Sequence, residues 1–346
     1  DKAGAMVEIR RMHQRQKDAK EYFDAEIRRS QEEIKEKQAE MSKHAESSSG
    51  EYDKILEANP DIKKSHDEVN SMAKKIYGDF VNPFSLYLSA INYLLDHDYN
   101  SANVDFRNLY AANSTSKLVS SDFATASQRI GATGNLPEEL KPQKTWDYPL
   151  DKNIVFVIFE NGISAAFKEQ KVQIILPPPI PTGYSGIAFP VLEEFPQPFD
   201  GLKIEAGGKT YISSEVSDMD SVVGSEFKEI FPQIITRLVV STIIKEGGAF
   251  VAQMAAEQAG GEFAKWGTVV ATSIYKYAFN TADTRCWQTL PKKYMIAHLP
   301  KPSNGIISLS AGLRSETVKL SEEKSFALVY VRAQSQDQLS VKVFEF

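Results

Sequence analysis

Cys286 and His298 come nearest, among the side chains of this sequence, to a nucleophile and its base. A cysteine reacts as its thiolate and needs a base within hydrogen-bond distance, and His298 is the closest histidine along the chain. A thiol that stands beside a tryptophan, as Cys286 stands beside Trp287, is more often a packed core group. We therefore expect no Cys-His catalytic pair.

The spacing of the other polar residues gives little support to a metal or phosphate site. The histidines are scattered along the chain, although distant ones can still converge in the fold: His13, His44, His66, His97 and His298. The tripeptide Gly208-Lys209-Thr210 imitates the end of a phosphate-binding loop, but Lys203 stands where that loop needs its first glycine. The sequence therefore predicts no metal and no other cofactor.

Asp283 and Arg285 are the polar residues that stand out, because they lie two positions apart in a predicted turn from helix to strand. At this spacing they can form an ion pair with each other or cap neighbouring backbone groups. We interpret them as structural residues that fix how a helical insertion meets a sheet. The alternative is a ligand-binding or catalytic site centred on Asp283, Arg285 and Trp287.

The composition argues against several classes of function. With 46 acidic and 40 basic residues the net charge is -6, so there is no broad attraction to nucleic acid or to an anionic membrane surface. One cysteine excludes an internal disulfide and every multi-thiolate metal site. The most apolar stretch, 231–279, is interrupted by charged residues and glycines, which indicates a core and not a membrane span.

The elements that must position these residues are helical over the first 130 residues. Residues 1–48 place opposite charges one helical turn apart, as in Asp24 and Arg28, which predicts one long charged helix. Its sparse apolar residues allow two interpretations. The helix either docks on its own domain or serves as an arm for a partner or a second copy.

Residues 82–114 predict a helix-turn-helix pair joined at His97-Asp98 and resemble one tetratricopeptide repeat. Four packing positions match that pattern, at Ala90, Tyr93, Ala102 and Phe106, whereas Ser89, Leu109 and Ser114 depart from it. A single repeat cannot bury its apolar face alone, so the flanking helices should stack on it as a short solenoid. A plain helical hairpin is the alternative.

The remaining chain changes from helical to strand-like periodicity. Residues 131–150 are rich in glycine, proline and polar side chains and predict an interdomain linker. Residues 151–346 predict an antiparallel β-sandwich with a two-helix insertion at about 219–282. We expect Pro232 in the first turn of one inserted helix and a second helix from Phe263, after Gly260-Gly261. The predicted fold class is α+β.

Several segments together resemble a known bacterial family. They are RMHQRQKDAKEYFDAEI at 11–27, the Asn161-Gly162 turn after a buried strand, a strand ended by LPPP, and TADTRCWQTLPKKYMIAHLPKPSNG at 281–305. The chain resembles a family of bacterial predicted outer-membrane lipoproteins with tetratricopeptide-like repeats and no assigned biochemical activity. The sharpest similarity lies at Asp283, Arg285, Trp287, Leu290 and Pro291, for which the resemblance implies a structural role. The family normally has serine at the position of Cys286, so it implies no thiol chemistry.

The resemblance also implies a cellular location and a molecular function. It implies a fragment or processed form of a precursor that is lipid-anchored on the periplasmic side of the outer membrane, with the signal peptide and lipid anchor absent from this sequence. We expect a non-enzymatic scaffold that binds other periplasmic or outer-membrane proteins through its helices and sandwich edges. A subunit of a ring or other homo-oligomeric assembly is the first alternative, and the site at Asp283 is the second. Neither nucleic acid nor direct membrane binding is expected.

Overall fold

The computed structural model of the chain describes residues 2–41, 52–72, 77, 82–141, 145–174, 186–260 and 281–346. Helices dominate its amino-terminal part and strands its carboxyl-terminal part, so the predicted α+β class is confirmed. The proline run at 177–181 and the second inserted helix predicted from Phe263 lie outside the described residues.

Seven α-helices occur in the described ranges, and local capping explains where three of them begin. Asn82 caps α4 through its side chain and Pro83 follows at the first helical position; Asp98 caps α5 and Ser116 caps α6. The helices are α1 (Lys2–Met41), α2 (Tyr52–Ala58), α3 (Pro60–Met72), α4 (Pro83–Leu95), α5 (Tyr99–Ala112), α6 (Lys117–Arg129) and α7 (Met219–Gly260).

The described strands form three sheets. In chain order they are β1 (Ile154–Asn161), β2 (Ala166–Gln173), β3 (Gly186–Glu193), β4 (Lys203–Ala206), β5 (Lys209–Ile212), β6 (Ser214–Asp218), β7 (Lys293–Pro300), β8 (Ile306–Ala311), β9 (Arg314–Lys319), β10 (Phe326–Ala333) and β11 (Ser340–Glu345). One sheet has the order β11-β10-β1-β7-β6, a second has β5-β4-β8-β9, and β2 pairs with β3 alone. The pairing is antiparallel as predicted, except that β1 and β10 run parallel.

The five-stranded sheet is covered on both faces. Alternate residues of β1, such as Val155 and Val157, pack against the four-stranded sheet, which gives two facing sheets. The intervening residues Ile154 and Phe156 pack against α4, α5 and α6. A separate core joins α2, α3 and α7 to the β2-β3 pair. Burial on both faces explains why IVFVIFEN is apolar at nearly every position of β1.

The segment predicted as an interdomain linker belongs to the core between the helices and the five-stranded sheet. Leu136, Leu140 and Leu150 are buried in that core, and Trp146 and Tyr148 pack against it. The segment connects α6 to β1, as predicted, but its apolar side chains also close one side of the helical layer. The helices and the sheet therefore share one hydrophobic core.

The prediction that Pro232 lies in the first turn of a helix is wrong. Helix α7 begins at Met219, where the Asp218 carboxylate accepts a hydrogen bond from the Ser221 N–H at 3.1 Å, so Pro232 lies in the helix interior. An interior proline removes one helical hydrogen bond and costs about 3 kcal/mol. Buried Phe231, directly before the proline, and Phe227, five residues before it, offset that cost through packing.

Helix α1 packs on its own chain, against α7 and α4. Ile9 is one of its few buried residues, and polar contacts supply much of the rest. His13 Nε2 lies 3.1 Å from the buried Ser89 Oγ, and Gln16 donates to Ser85 Oγ at 2.8 Å. The neighbouring carboxylate of Asp105 is buried, and its Oδ2 has no hydrogen-bond partner among the described residues.

Asp105 gives this interface a pH dependence. Burial raises the pKa of Asp105, outweighing the Ser89 hydrogen bond and the field of His13, both of which lower it. The folded chain then binds more protons than the unfolded chain, so the free energy of unfolding falls as pH rises from 3.8 through the folded pKa.

The substitution Asp105→Asn tests this pH dependence in urea titrations from pH 4 to pH 7. The free energy of unfolding should fall less over this range for Asp105→Asn than for the wild type. At pH 7 the variant should be more stable than the wild type by about 1 kcal/mol. Equal slopes for the two chains would contradict this account.

Candidate functional site

The four residues singled out in the repeat-like pair lie where α4 and α5 meet. Ala90, Ala102 and Phe106 are fully buried, and Tyr93 is half-buried against the same core. The connecting turn places His97 at a φ of 61°, a left-handed conformation in which a non-glycine residue is uncommon. These residues pack the hairpin.

Asp283 and Arg285 form an ion pair with each other at the surface. Arg285 Nη2 lies 2.6 Å from Asp283 Oδ2, and the Arg285 backbone N–H donates to Asp283 Oδ1 at 3.1 Å. The pairing lowers the pKa of Asp283 to about 2. Arg285 and Asp283 are 91% and 61% exposed in their side chains, so solvent screens the pair and it stabilises little.

The other residues of that motif lie along the same segment. Trp287 is 71% exposed and donates to the Thr289 hydroxyl, whereas Pro291 is buried and Leu290 is half-buried. The Leu290 carbonyl accepts a hydrogen bond from Ser164 N–H at 2.9 Å. The motif therefore anchors the start of β7 through its backbone and Pro291, while Trp287 faces solvent.

A buried polar network that no sequence motif indicates lies between α6 and the five-stranded sheet. Its centre is the fully buried carboxylate of Asp122, which accepts from Tyr87 Oη at 2.6 Å, from Trp146 Nε1 at 2.7 Å and from His298 Nε2 at 2.7 Å. The Tyr148 hydroxyl lies 3.1 Å from both Nδ1 and the carbonyl oxygen of His298. Every polar atom of this group has a partner, as a buried network requires.

Burial fixes the protonation of the two tyrosines in the network. Desolvation, reinforced by the nearby Asp122 carboxylate, raises the pKa of both Tyr87 and Tyr148 far above the ordinary tyrosine value. Both hydroxyls therefore stay protonated over the whole physiological range and remain donors. His298 is buried with both ring nitrogens engaged, so it is not placed to serve Cys286 as a base.

An open cleft of about 410 Å³ lies on the outer side of this network. Trp146 and Tyr148 belong to both, because their polar atoms are hydrogen-bonded in the network and both residues line the cleft. Helices α5 and α6 contribute Tyr99, Thr125 and other lining residues. Neither Asp122 nor His298 lines the cleft. The cleft is thus lined by several aromatic residues, and its charged lining residues are Arg129, Asp147 and Asp151.

Three residues at one end of the cleft form a compact polar group. The Tyr99 hydroxyl donates to Asp151 Oδ2 at 2.9 Å, and Arg129 Nη2 lies 3.4 Å from both of those oxygens. The Arg129 guanidinium sits 4.8 Å from the centre of the Tyr99 ring, which is a cation–π distance. His97 Nδ1 lies 3.1 Å from the same hydroxyl.

The described ranges contain no cluster of histidine, cysteine, aspartate and glutamate side chains suited to a metal ion. No helix within them combines the length and apolar character needed to cross a bilayer.

Sequence reasoning missed the network and the cleft because their members are far apart in the chain. Asp122, Trp146 and His298 come from α6, from the segment before β1 and from β7. One signal was available: the predicted linker carries Trp146 and Tyr148, which is unusual for a solvated connection. Comparisons of the chain with protein-family models, curated proteins and solved structures return no match.

Proposed function

We propose that this chain is a non-enzymatic scaffold that binds another protein through the aromatic cleft beside α5 and α6. The observation that carries the proposal is that Trp146 and Tyr148 belong both to the buried network and to the lining of the cleft. Their polar atoms are hydrogen-bonded to Asp122 and His298, while both residues line an open cleft. Rings fixed in this way lose little entropy when a partner covers them.

The chemistry of the cleft suits a protein partner. Tyrosine and tryptophan dominate the binding energy of protein interfaces, because each offers a large apolar surface with a polar atom at its edge. Here Tyr99, Trp146 and Tyr148 provide such surfaces, and charged groups also line the cleft. A volume of about 410 Å³ accommodates one or two side chains of a partner segment.

The same geometry argues against catalysis as the main activity of this cleft. A general base or nucleophile must reach the reacting atom, but the Asp122 carboxylate and the His298 ring are enclosed and already hydrogen-bonded. Asp151 is engaged by Tyr99 and Arg129, and its side chain is only 7% exposed. The cleft thus offers recognition surfaces, and the described residues that line it include the exposed carboxylate of Asp147 but no histidine.

The resemblance to envelope lipoproteins supports the cellular setting of the proposal. It implies a location on the periplasmic side of the outer membrane, and we propose other envelope proteins as the partners. Two alternative predictions remain: a homo-oligomeric assembly, and a ligand site at Asp283, Arg285 and Trp287. Asp283 and Arg285 pair with each other at the exposed surface, which does not support the ligand site.

A site-specific crosslink tests the proposal in the native host. A photoreactive residue at the exposed cleft position Gln128 should capture one envelope protein of defined mass, whereas the same residue at exposed Thr317 on β9 should not. Tyr99→Ala and Trp146→Ala should each reduce capture about tenfold, as expected for aromatic anchors. Tyr99 lies outside the Asp122 network, so its variant separates lost binding from lost folding.

Two results would overturn the proposal. One is equal capture at Gln128 and Thr317. The other is capture at Gln128 that neither Tyr99→Ala nor Trp146→Ala reduces.

A further inference from the structure

We propose that the cleft recognises an arginine or lysine side chain of its partner, on the site between the Tyr99 ring and the Asp151 carboxylate that Arg129 occupies in this structure. The inference rests on the proposed protein-binding function and names the chemistry of the group that is bound. Arg129 is then a placeholder, which the partner's cation displaces.

The site has the components that bind an organic cation. An aromatic face attracts a cation within about 6 Å of its centre, and a carboxylate at the ring edge adds a charged acceptor. Tyr99 and Asp151 provide this pair, joined by their 2.9 Å hydrogen bond. The position of Arg129 over the ring shows directly that a guanidinium fits there.

Arg129 is held loosely compared with the groups around it. Its side chain is 53% exposed, while that of Asp151 is only 7% exposed. Its two contacts of 3.4 Å are longer than ordinary N–H···O hydrogen bonds, which lie between about 2.7 and 3.2 Å. Arg129 is also the last residue of α6, where a cation can move to solvent and still interact favourably with the helix end.

The charges that remain when Arg129 swings out favour a cation over an anion. The charged residues lining the cleft are Arg129, Asp147 and Asp151. Without Arg129, two carboxylates and the rings of Tyr99, Trp146 and Tyr148 face the ligand. A partner carboxylate bound to Arg129 would instead lie beside like charges, which costs affinity.

Binding of three matched peptides to the full chain tests the proposal. The nine-residue glycine-serine peptides differ at the central position, which is arginine, its uncharged isostere citrulline, or glutamate. Calorimetric titration should show the arginine peptide binding about tenfold more tightly than the citrulline peptide, and the glutamate peptide binding most weakly.

The variants make the test specific to displacement. Arg129→Ala should strengthen binding of the arginine peptide by about threefold to tenfold, because it removes an internal competitor. Arg107→Ala, which removes the same charge from an exposed position on α5, should leave it unchanged. Asp151→Asn should weaken binding at least about tenfold, and Tyr99→Phe should keep most of it, because the ring remains.

The cation proposal is overturned if Arg129→Ala weakens the arginine peptide, if the glutamate peptide binds most tightly, or if no peptide binds even to the Arg129→Ala chain. If the photoreactive residue at position 128 still captures a partner in cells, these results do not contradict the proposed protein-binding function. Loss of both the crosslink and the peptide binding rejects the cleft as an interface altogether.

Discussion

Replacing Asp122 by alanine is expected to lower the free energy of unfolding by about 3–5 kcal/mol. The substitution leaves three buried donors without their acceptor: the Tyr87 hydroxyl, the Trp146 indole N–H and the His298 ring N–H. Each unsatisfied donor costs about 1–3 kcal/mol, and structural relaxation recovers part of the sum. Equilibrium urea unfolding, followed by far-ultraviolet circular dichroism, measures the loss.

Two milder variants calibrate the effect of Asp122→Ala. Tyr87→Phe removes a single donor and should cost about 1 kcal/mol, while Asp122→Asn keeps an acceptor oxygen and should fall between the two. If Asp122→Ala lowers the free energy of unfolding no more than Tyr87→Phe does, the network does not hold Trp146 and Tyr148 in place, and the cleft is not rigid.

Phe106→Ala should cost about 3–5 kcal/mol, because it leaves a cavity between α4 and α5. The ring is completely buried and meets Tyr87 edge-on, with their centres 5.9 Å apart. Removing it also loosens the tyrosine that donates to Asp122. The urea midpoint should therefore fall sharply, with the slope of the transition unchanged.

Tyr93→Ala serves as the matched control for Phe106→Ala. Both residues are aromatic members of the repeat-like pattern, but Tyr93 is only half-buried, so its truncation should cost about 1 kcal/mol. Equal costs at the two positions would mean that the repeat-like pattern does not mark the core of the hairpin.

Local signals made much of the fold predictable. Asn82-Pro83, Asp98 and Ser116 each combine a capping side chain with a following helical pattern, and α4, α5 and α6 begin directly after them. Gly207 and Gly208 join β4 to β5 at φ values of 55° and 75°, a conformation that two successive glycines favour. Information of this kind lies within a few residues of the element that it defines.

The errors arose where tertiary packing outweighed a local preference. Pro232 is a strong first-turn signal, but buried Phe227 and Phe231 hold the chain helical on its amino-terminal side. The segment 131–150 was predicted as an interdomain linker from its glycine and proline content, and that composition gives no sign that its Leu136 and Leu140 are buried. The Asp122 network could not be predicted from the sequence for a similar reason. The register of the β-sheet brings His298 next to Asp122 of α6, and no spacing within the sequence encodes that proximity.

The parallel pairing of β1 with β10 has a consequence for how the chain folds. Strand β1 is buried along its whole length, and its neighbours β7 and β10 both lie far downstream in the sequence. Until β10 is available to pair, the hydrophobic stretch IVFVIFEN has at most one of its two edges matched. Contacts between distant segments form slowly, so this stretch is open to aggregation while the chain folds.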